Sequence, residues 1–542
     1  MIERTAQGWR VSVAGMLVAA LLLVAGTEFW AIRILNDGSF LYSLDDAYIH
    51  LSLAQRLQHG HYGINASEPS SPSSSILWPE LLVPLAGTGA QAWVPLVLNL
   101  AAALGAAIAI ARMLERSLGR PDGARRAWLL AGLGGGLLLL FNTVGLLFTG
   151  LEHSLQVWLT LLTVLELHDV ARGALPCARL WGLLVLGPLV RYENLAVTLP
   201  GLVFLGAMGH RRAAGLTLGL VLALLGAFSA FLVGSGLPPL PCSVLAKQMM
   251  LGEGLSPMAT WLMRLRDNLF HSWSGPWFAL LVAVLAAGAA RATTARARAF
   301  AIAMAAVPGL HLAVGGFGMF HRYELYALAA AVSSTALVYS TTLRRWFDGG
   351  ARLAPIVVAG MLLVAAAKSA YVLLMTPAAT HEIYRQQFQM RRFAQQVLPA
   401  PAAVNDLGLV AFGNTREVVD LWGLANPEAL AARRAHRQIA WADSLCRREG
   451  VVVAMIYAPW FGSLPATWTP LGALQFSEHT RAPESRARAG LEWLAHRWRR
   501  RVAVSQVSVD FFAIRPEDVP VARAACERFR CGLVDGVTFL SR

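Results

Sequence analysis

The chain has 542 residues, of which 56% are hydrophobic and only 14% are charged, and its mean hydropathy is positive. So little charge in a chain of this length excludes an ordinary water-soluble protein and indicates one that is solvated largely by the lipid bilayer. The formal net charge of +14 does not indicate a nucleic-acid partner, because the basic residues form short clusters between apolar segments, as the cytoplasmic loops of membrane proteins do.

The chain begins with an apolar segment, residues 11–32, that lies between Arg10 and Arg33. It is long enough to anchor the chain in the membrane, and no signal-peptide cleavage pattern follows it. Further hydrophobic segments predict about eleven membrane crossings, or about nine if the two halves of residues 181–209 form a re-entrant pair. The apolar segments are residues 11–33, 92–111, 127–148, 154–170, 181–209, 213–234, 276–290, 299–315, 323–341 and 354–375.

The arginine clusters predict that the N-terminus is cytoplasmic. They fall on one side of the membrane only if residues 76–86 do not cross, and roughly eleven residues are too few to span a bilayer. We therefore expect residues 76–86 to form a helix along the membrane surface. The predicted outer segments are residues 34–91, 149–153, 191–194, 235–275, 316–324 and everything after about residue 376.

The first outer loop, residues 34–91, contains two adjacent carboxylates, Asp45 and Asp46, at the start of a predicted helix that also carries His50. One hypothesis is that a carboxylate caps this helix, because it accepts hydrogen bonds from the free amide groups of the first turn. The other is that the pair acts as a general base or binds a divalent metal, Mg or Mn. The sequence leaves both hypotheses open.

Two further polar groups occur where apolar segments are interrupted. Glu152 and His153 lie between two predicted spans, and Arg191 and Glu193 interrupt a long apolar segment. Charges at membrane depth are costly, so the second group predicts either a structural ion pair or a functional cavity.

The cationic candidates are also in outer segments. Lys247 is a predicted phosphate ligand, because the positive-inside rule makes a lysine unusual in an outer loop. His321, Arg322 and Tyr323 lie at the outer end of another span, where Arg322 either binds a ligand or extends its head group to the interface.

After about residue 376 the composition becomes polar and mixed, which predicts two domains: a transmembrane module, residues 1–375, and an extracytoplasmic α/β domain, residues 376–542. Residues 451–456 and 502–509 are predicted strands, and residues 427–446 a predicted helix. Cys526 and Cys531, near the end of this domain, form either a disulfide or two free thiols.

The motifs as a set resemble the GT-C superfamily of polyprenyl-phosphate-sugar-dependent glycosyltransferases, in particular the bacterial branch with the mycobacterial terminal arabinofuranosyltransferases. The resembling segments are residues 44–49, 60–65, 73–78, 150–152, 191–193, 240–247, 322–323, 405–408 and 420–424.

The resemblance implies a polytopic α-helical module in the inner membrane of a bacterium, with a catalytic aspartate in the first outer loop and inversion at the anomeric carbon. Asp45 or Asp46 would be the base or a metal ligand, and Glu152 a second acidic residue. Lys247, Arg191 and Arg322 would contact the donor phosphate. The implied partners are a polyprenyl-phosphate-linked sugar and an envelope glycan, lipid or protein acceptor. Tyr192, Asn194 and Cys242 depart from the family pattern, so no donor is assigned.

Two other classes of function fit some of these features. A transporter or flippase of a lipid-linked sugar also needs broken spans and buried charges, but its polar sites gather at the middle of the membrane rather than at one surface. A non-catalytic scaffold would tolerate the loss of both Asp45 and Asp46.

Overall fold

The computed structural model describes residues 2–5, 8–249, 256–318, 320–350, 353–435, 439–477, 485–499 and 506–542. The chain divides into two compact units. The first unit comprises Met1–Thr27, Leu96–Gly226 and Gly252–Leu374, and the second comprises Glu28–Pro95, Ala227–Leu251 and Met375–Arg542.

The first unit is helical apart from a short antiparallel hairpin of β1 (Ile2–Thr5) and β2 (Gly8–Val11). Its helices lie wholly or mainly within it. They are Val13–Leu35, Val94–Leu118, Ala124–Leu140, Thr143–Leu147, His153–Ala171, Ala178–Val190, Leu195–Leu205, Arg211–Gly234, Pro257–Phe270, Gly275–Arg291, Ala295–Val314, Leu325–Val338, Ser340–Arg345 and Ala354–Arg385.

By length and composition, five helical segments in the described part of the chain can cross a membrane, or up to seven if each of two sharply bent helix pairs is one span. The chain is therefore built as a polytopic helical membrane protein. The predicted count of about eleven is not confirmed, because several apolar segments fold as shorter pieces. Residues 127–148, for example, divide into Ala124–Leu140 and Thr143–Leu147 at Asn142, which has a left-handed backbone with φ of 48°.

The interruption predicted within residues 181–209 is a real break. The helix Ala178–Val190 ends at Arg191, whose backbone is extended, and a turn at Tyr192–Asn194 leads into the helix Leu195–Leu205. Asn194 is buried beside the break and accepts a 3.1 Å hydrogen bond from Gln156. The polar sequence therefore forms a turn between two helices, and a side-chain hydrogen bond holds that turn.

The second unit contains a six-stranded sheet. Its strands are β3 (Ala402–Val404), β4 (Val418–Asp420), β5 (Val453–Ile456), β6 (Thr469–Phe476), β7 (Ser508–Ala513) and β8 (Val537–Ser541). They lie in the order β4-β3-β5-β7-β6-β8; strands β3, β4 and β5 are parallel, and the remaining pairs are antiparallel. The helices of this unit are Asp46–Leu57, Leu77–Leu82, Cys242–Met249, Gln387–Arg392, Gly408–Ala411, Pro427–Arg434, Ala440–Arg448, Arg486–Arg499 and Val519–Arg530.

Both faces of the sheet are buried. Successive side chains of a strand point to opposite sides, so the residues of one strand enter two different apolar clusters. In β5, Val453 and Met455 enter one apolar cluster, and Ala454 and Ile456 enter the other. The first cluster also contains Ile49 of the first outer loop, which therefore packs in the core of this unit.

The structure refines several predictions. The α/β fold of the C-terminal region and a strand within residues 451–456 are confirmed. The predicted helix 427–446 is instead two helices, Pro427–Arg434 and Ala440–Arg448. The predicted strand 502–509 lies partly outside the described residues, and β7 begins later, at Ser508.

The five cysteines are all free thiols, so Cys526 and Cys531 do not form a disulfide; Cys526 is buried and Cys531 is exposed. Residues 76–86 form only the six-residue helix Leu77–Leu82 and one 3₁₀ turn, which is too short to cross a membrane. The domain boundary near residue 376 stays a prediction.

Candidate active site

Asp45 begins the helix Asp46–Leu57 but does not cap it. Its backbone carbonyl accepts a 3.0 Å bond from the Tyr48 amide, while its carboxylate turns to a different helix. The two carboxylate oxygens accept hydrogen bonds from the amides of Gly408, at 2.6 Å, and Leu409, at 2.8 Å. Asp45 thereby satisfies free amide groups at the start of the helix Gly408–Ala411, and only 6% of its surface is exposed.

This contact depends on a glycine at position 408. A Cβ atom there would collide with the backbone carbonyl oxygen of Asp45 and lie 2.7 Å from its Oδ2. The absent side chain at Gly408 therefore lets the two segments approach closely.

Asp406 places a second carboxyl group beside Asp45. Its Oδ2 accepts hydrogen bonds from Gln387 Nε2 at 2.7 Å and from the Tyr457 hydroxyl at 3.2 Å. The carboxyl groups of Asp406 and Asp45 are also close enough to interact electrostatically. Loss of surrounding water raises the pKa of both groups, and the negative charge of Asp46 raises both further. We call Asp45, Asp46 and Asp406 the acidic group; within it, Asp45 and Asp406 hold a proton more readily than isolated carboxyl groups do.

Asp46 differs from Asp45 in its surroundings. Its side chain is half-buried rather than fully buried, so it retains contact with solvent. Within the acidic group, Asp45 is engaged by two backbone amides while Asp46 keeps an exposed edge. The structure thus separates an anchoring carboxylate from an accessible one.

Other signature residues of the predicted first outer loop contact distant segments of the same second unit. The Asn65 side chain donates to the Val418 carbonyl and accepts from the Val418 amide, both at 3.0 Å, so it pairs with the edge strand β4 as a strand would. The Ser71 hydroxyl accepts a 3.1 Å bond from the Cys242 amide. These contacts fix the loop on the sheet and on the helix Cys242–Met249.

Lys247 lies in that helix, and its side chain falls outside the described part of the structure. The helix packs through Cys242 and Ala246 against Leu430. His50 is buried, and its Nδ1 is 3.2 Å from the hydroxyl of Ser73. The segments that carry Asp45, His50 and Lys247 therefore belong to one unit.

The first unit contains a separate ionic cluster around Arg191. Arg191 Nη1 is 2.5 Å from Glu152 Oε1, and Arg191 Nη2 is 2.6 Å from Glu193 Oε1. Arg191 and Glu152 are buried, whereas the Glu193 side chain is one-third exposed. Because two carboxylates already neutralise this guanidinium, the contacts favour the structural role left open by the sequence.

Tyr323 lies between this cluster and the other predicted cation. The Arg191 and Arg322 guanidinium carbons are 5.6 Å and 5.1 Å from the Tyr323 ring centroid, and Arg322 Nη2 is 3.3 Å from its hydroxyl oxygen. The His153 ring packs at 6.0 Å from the same ring. The structure therefore brings the predicted residues of this unit together around Tyr323.

Glu324 adds an acidic residue that the sequence analysis missed. Its Oε1 accepts from His321 Nδ1 at 2.8 Å and is 3.6 Å from Lys368 Nζ. His321 reaches it from a left-handed backbone with φ of 51°. Lysine is rare in this arginine-rich chain, so Lys368 is conspicuous in the sequence, and Glu324 is its partner in the structure.

The described residues contain no group of three or more His, Cys, Asp and Glu side chains arranged to hold a metal ion. Asp45 and Asp46 stay predicted metal ligands. Each carboxylate oxygen of Asp45 already accepts a hydrogen bond from a backbone amide, which leaves fewer lone pairs to bind a metal ion.

Comparison with known proteins gives one family match. Residues 381–506 match a model described as a domain of unknown function (DUF8728). No curated protein matches the chain.

Two solved structures are similar to the chain. One is the Archaeoglobus fulgidus oligosaccharyltransferase in complex with Zn and sulfate, with 14% identity and a TM-score of 0.45 over 85% of this chain and 72% of that one. The other is the apo form of the same enzyme, with 12% identity and a TM-score of 0.43 over 85% and 73%. Similarity at this level identifies neither a family nor a reaction for the present chain.

The sequence analysis named Asp406 only as part of a motif and did not identify Tyr457 or Gln387. Asp406 immediately follows β3, where polar residues at the end of a buried strand are candidates for a site. Tyr457 follows β5 in the same way. Recognising both requires knowing that β3 and β5 are neighbours, which follows from the sheet order.

Proposed function

We propose that this chain is an inverting glycosyltransferase of the GT-C type, which moves a sugar from a polyprenyl-phosphate carrier to a hydroxyl group of an envelope glycan, lipid or protein. The observation that carries the proposal is the division of roles within the acidic group. Asp45 is buried and bonded to the amides of Gly408 and Leu409, while Asp46 beside it keeps access to solvent. A general base needs such an accessible carboxylate held on a fixed frame.

In the proposed reaction, Asp46 accepts the proton of the acceptor hydroxyl. The hydroxyl oxygen forms a bond to the anomeric carbon of the donor sugar from the side opposite the phosphate. The bond from the anomeric carbon to the phosphate oxygen breaks, and polyprenyl phosphate leaves with the electron pair. The configuration at the anomeric carbon is inverted, and the bonds from Gly408 and Leu409 to Asp45 hold the backbone of the adjacent Asp46 in place.

The leaving phosphate requires a cation. Lys247 is the proposed contact in the unit that holds the acidic group, since its helix is bonded to the first outer loop through Cys242 and Ser71. The phosphate contacts implied for Arg191 and Arg322, which belong to the first unit, stay predictions, and Glu152 and Glu193 already neutralise Arg191.

The proposed location is a bacterial inner membrane, with a cytoplasmic N-terminus and an extracytoplasmic α/β domain. The support is the distribution of arginines between the apolar segments. The acidic group would then act on carriers at the outer surface.

The test is transfer by the purified full chain from a panel of polyprenyl-phosphate sugars, with the product anomer determined by NMR. We expect Asp46→Asn to lower kcat by about 10²- to 10⁴-fold without changing the thermal midpoint of unfolding. The carboxylate-to-amide control is Glu517→Gln, whose side chain is 66% exposed, and it should leave kcat unchanged.

Equal rates for the wild-type protein and Asp46→Asn would contradict the assignment of the base. Retention of configuration in the product would contradict the proposed displacement. A flippase would instead move the labelled carrier across proteoliposomes without forming any glycosidic bond.

A further inference from the structure

The surface of the α/β domain carries an aromatic platform, which we define as Trp422, Trp460, Phe461 and Arg433. The Trp422 and Trp460 ring centroids are 4.7 Å apart, with the ring planes inclined at 51°. Phe461 approaches Trp422 edge-on at 6.4 Å. Trp460 is 41% exposed and Trp422 is half-buried, so the two indoles form an open wedge rather than part of the apolar core.

Trp422 is held rigidly in this wedge. Its amide donates a 2.8 Å hydrogen bond to Asp420 Oδ1, and its carbonyl accepts a 2.7 Å bond from Arg433 Nη1. The Arg433 guanidinium carbon lies 3.4 Å from the centroid of the Trp422 ring. The stacked cation and the anchored backbone already restrict Trp422, so this side chain loses less conformational entropy when a ligand binds.

The platform is continuous with the acidic group through a single residue. The Tyr457 ring lies 5.0 Å from Trp460, and the Tyr457 hydroxyl is 3.2 Å from Asp406 Oδ2. All of these residues belong to the second unit. A molecule resting on the wedge would therefore be near the proposed base.

We propose that the aromatic platform binds a sugar ring of the acceptor, and this inference rests on the proposed function. The C–H face of a sugar ring is apolar and packs on an indole, while its hydroxyl groups accept hydrogen bonds from a cation such as Arg433. Ligand sites of this kind combine aromatic walls with a few fixed polar groups. The exposed part of Trp460 offers an indole face on which a sugar ring can stack, and the Arg433 guanidinium on the neighbouring Trp422 places a polar cation there, which disfavours a lipid tail.

The test measures binding of soluble oligosaccharides to the full chain in detergent, without any donor. The probes are tetra- to hexasaccharides of arabinan, galactan, mannan and rhamnan, and binding is measured by biolayer interferometry. We expect the wild-type protein to bind at least one of them, Trp460→Ala to weaken that binding about tenfold or more, and Trp460→Phe to retain most of it.

The matched control is Trp493→Ala in the helix Arg486–Arg499, since Trp493 is 63% exposed in the same unit. This variant should bind the oligosaccharide as the wild-type protein does. Equal binding by Trp460→Ala and Trp493→Ala, or no wild-type binding to any of the four probes, would overturn the proposal.

The experiment separates this proposal from the proposed function. Glu517→Gln, which lies outside both the platform and the acidic group, should bind the oligosaccharide as the wild-type protein does. If the wild-type protein binds oligosaccharide but never transfers sugar, the proposed function fails and the platform stands. If transfer is present and Trp460→Ala leaves the KM for the acceptor unchanged, the platform fails and the function stands.

Discussion

At the scale of single residues, two adjacent aspartates have different environments. The sequence presents Asp45 and Asp46 as equivalent, whereas the fold buries the first against Gly408 and Leu409 and leaves the second half-buried. This difference follows from a helical step of about 100° between neighbours, which directs their side chains to different surroundings. The sequence alone does not contain the position of Gly408 relative to Asp45.

A pH prediction concerns Asp420, which anchors the turn that holds Trp422. Burial raises the pKa of Asp420 from 3.8 to about 6, although the amides of Trp422 and Ala425 donate to its carboxylate. Since the folded state then holds this proton more tightly than the unfolded state, the free energy of unfolding falls as the pH rises from about 4 to about 6.

We therefore expect the thermal midpoint in detergent to decrease across this pH window, and Asp420→Asn to have a flatter profile there. Scanning fluorimetry at several pH values compares the two. Parallel profiles for both proteins would show that Asp420 does not titrate in this range.

At the scale of structural elements, a glycine contact holds the predicted first outer loop to the helix Gly408–Ala411. Gly408→Ala introduces a Cβ that collides with the Asp45 carbonyl, so we expect a loss of about 1–3 kcal/mol of unfolding free energy. Gly490→Ala is the matched control, because no atom lies within 4 Å of its Cβ and it is within the helix Arg486–Arg499. It should stabilise by roughly 0.5–1 kcal/mol. Denaturant unfolding measures both, and equal effects would contradict the predicted close approach.

The broken helix at Arg191 allows a second test at this scale. Arg191→Met leaves buried Glu152 without its ion-pair partner, and we expect a loss on the order of 3–5 kcal/mol. Adding Glu152→Gln removes that buried charge and should recover much of the loss. Thermal unfolding of the single and double variants measures the recovery. A double variant as unstable as Arg191→Met would argue against this ion pair as the cause.

At the scale of the whole molecule, apolar segments and arginine clusters predicted a polytopic helical protein, and the change in composition predicted the α/β region. The number of spans was less predictable, because apolar segments break at Asn142 and Arg191, and the pieces Thr143–Leu147 and Ala178–Val190 are shorter than a membrane crossing. The packing of Ile49 and Asn65 against the sheet is a contact between distant parts of the sequence. Local periodicity carries no information on such contacts, so the sequence predicted the elements better than the site.

The proposed function requires the chain to break the bond between a sugar and a polyprenyl phosphate. The most direct measurement uses proteoliposomes that contain a carrier labelled on both its sugar and its phosphate, together with an acceptor glycan. We expect one free polyprenyl phosphate for each sugar attached to the acceptor, and neither product with Asp46→Asn. Movement of the doubly labelled carrier between leaflets, with the sugar and the phosphate still joined, would contradict this account.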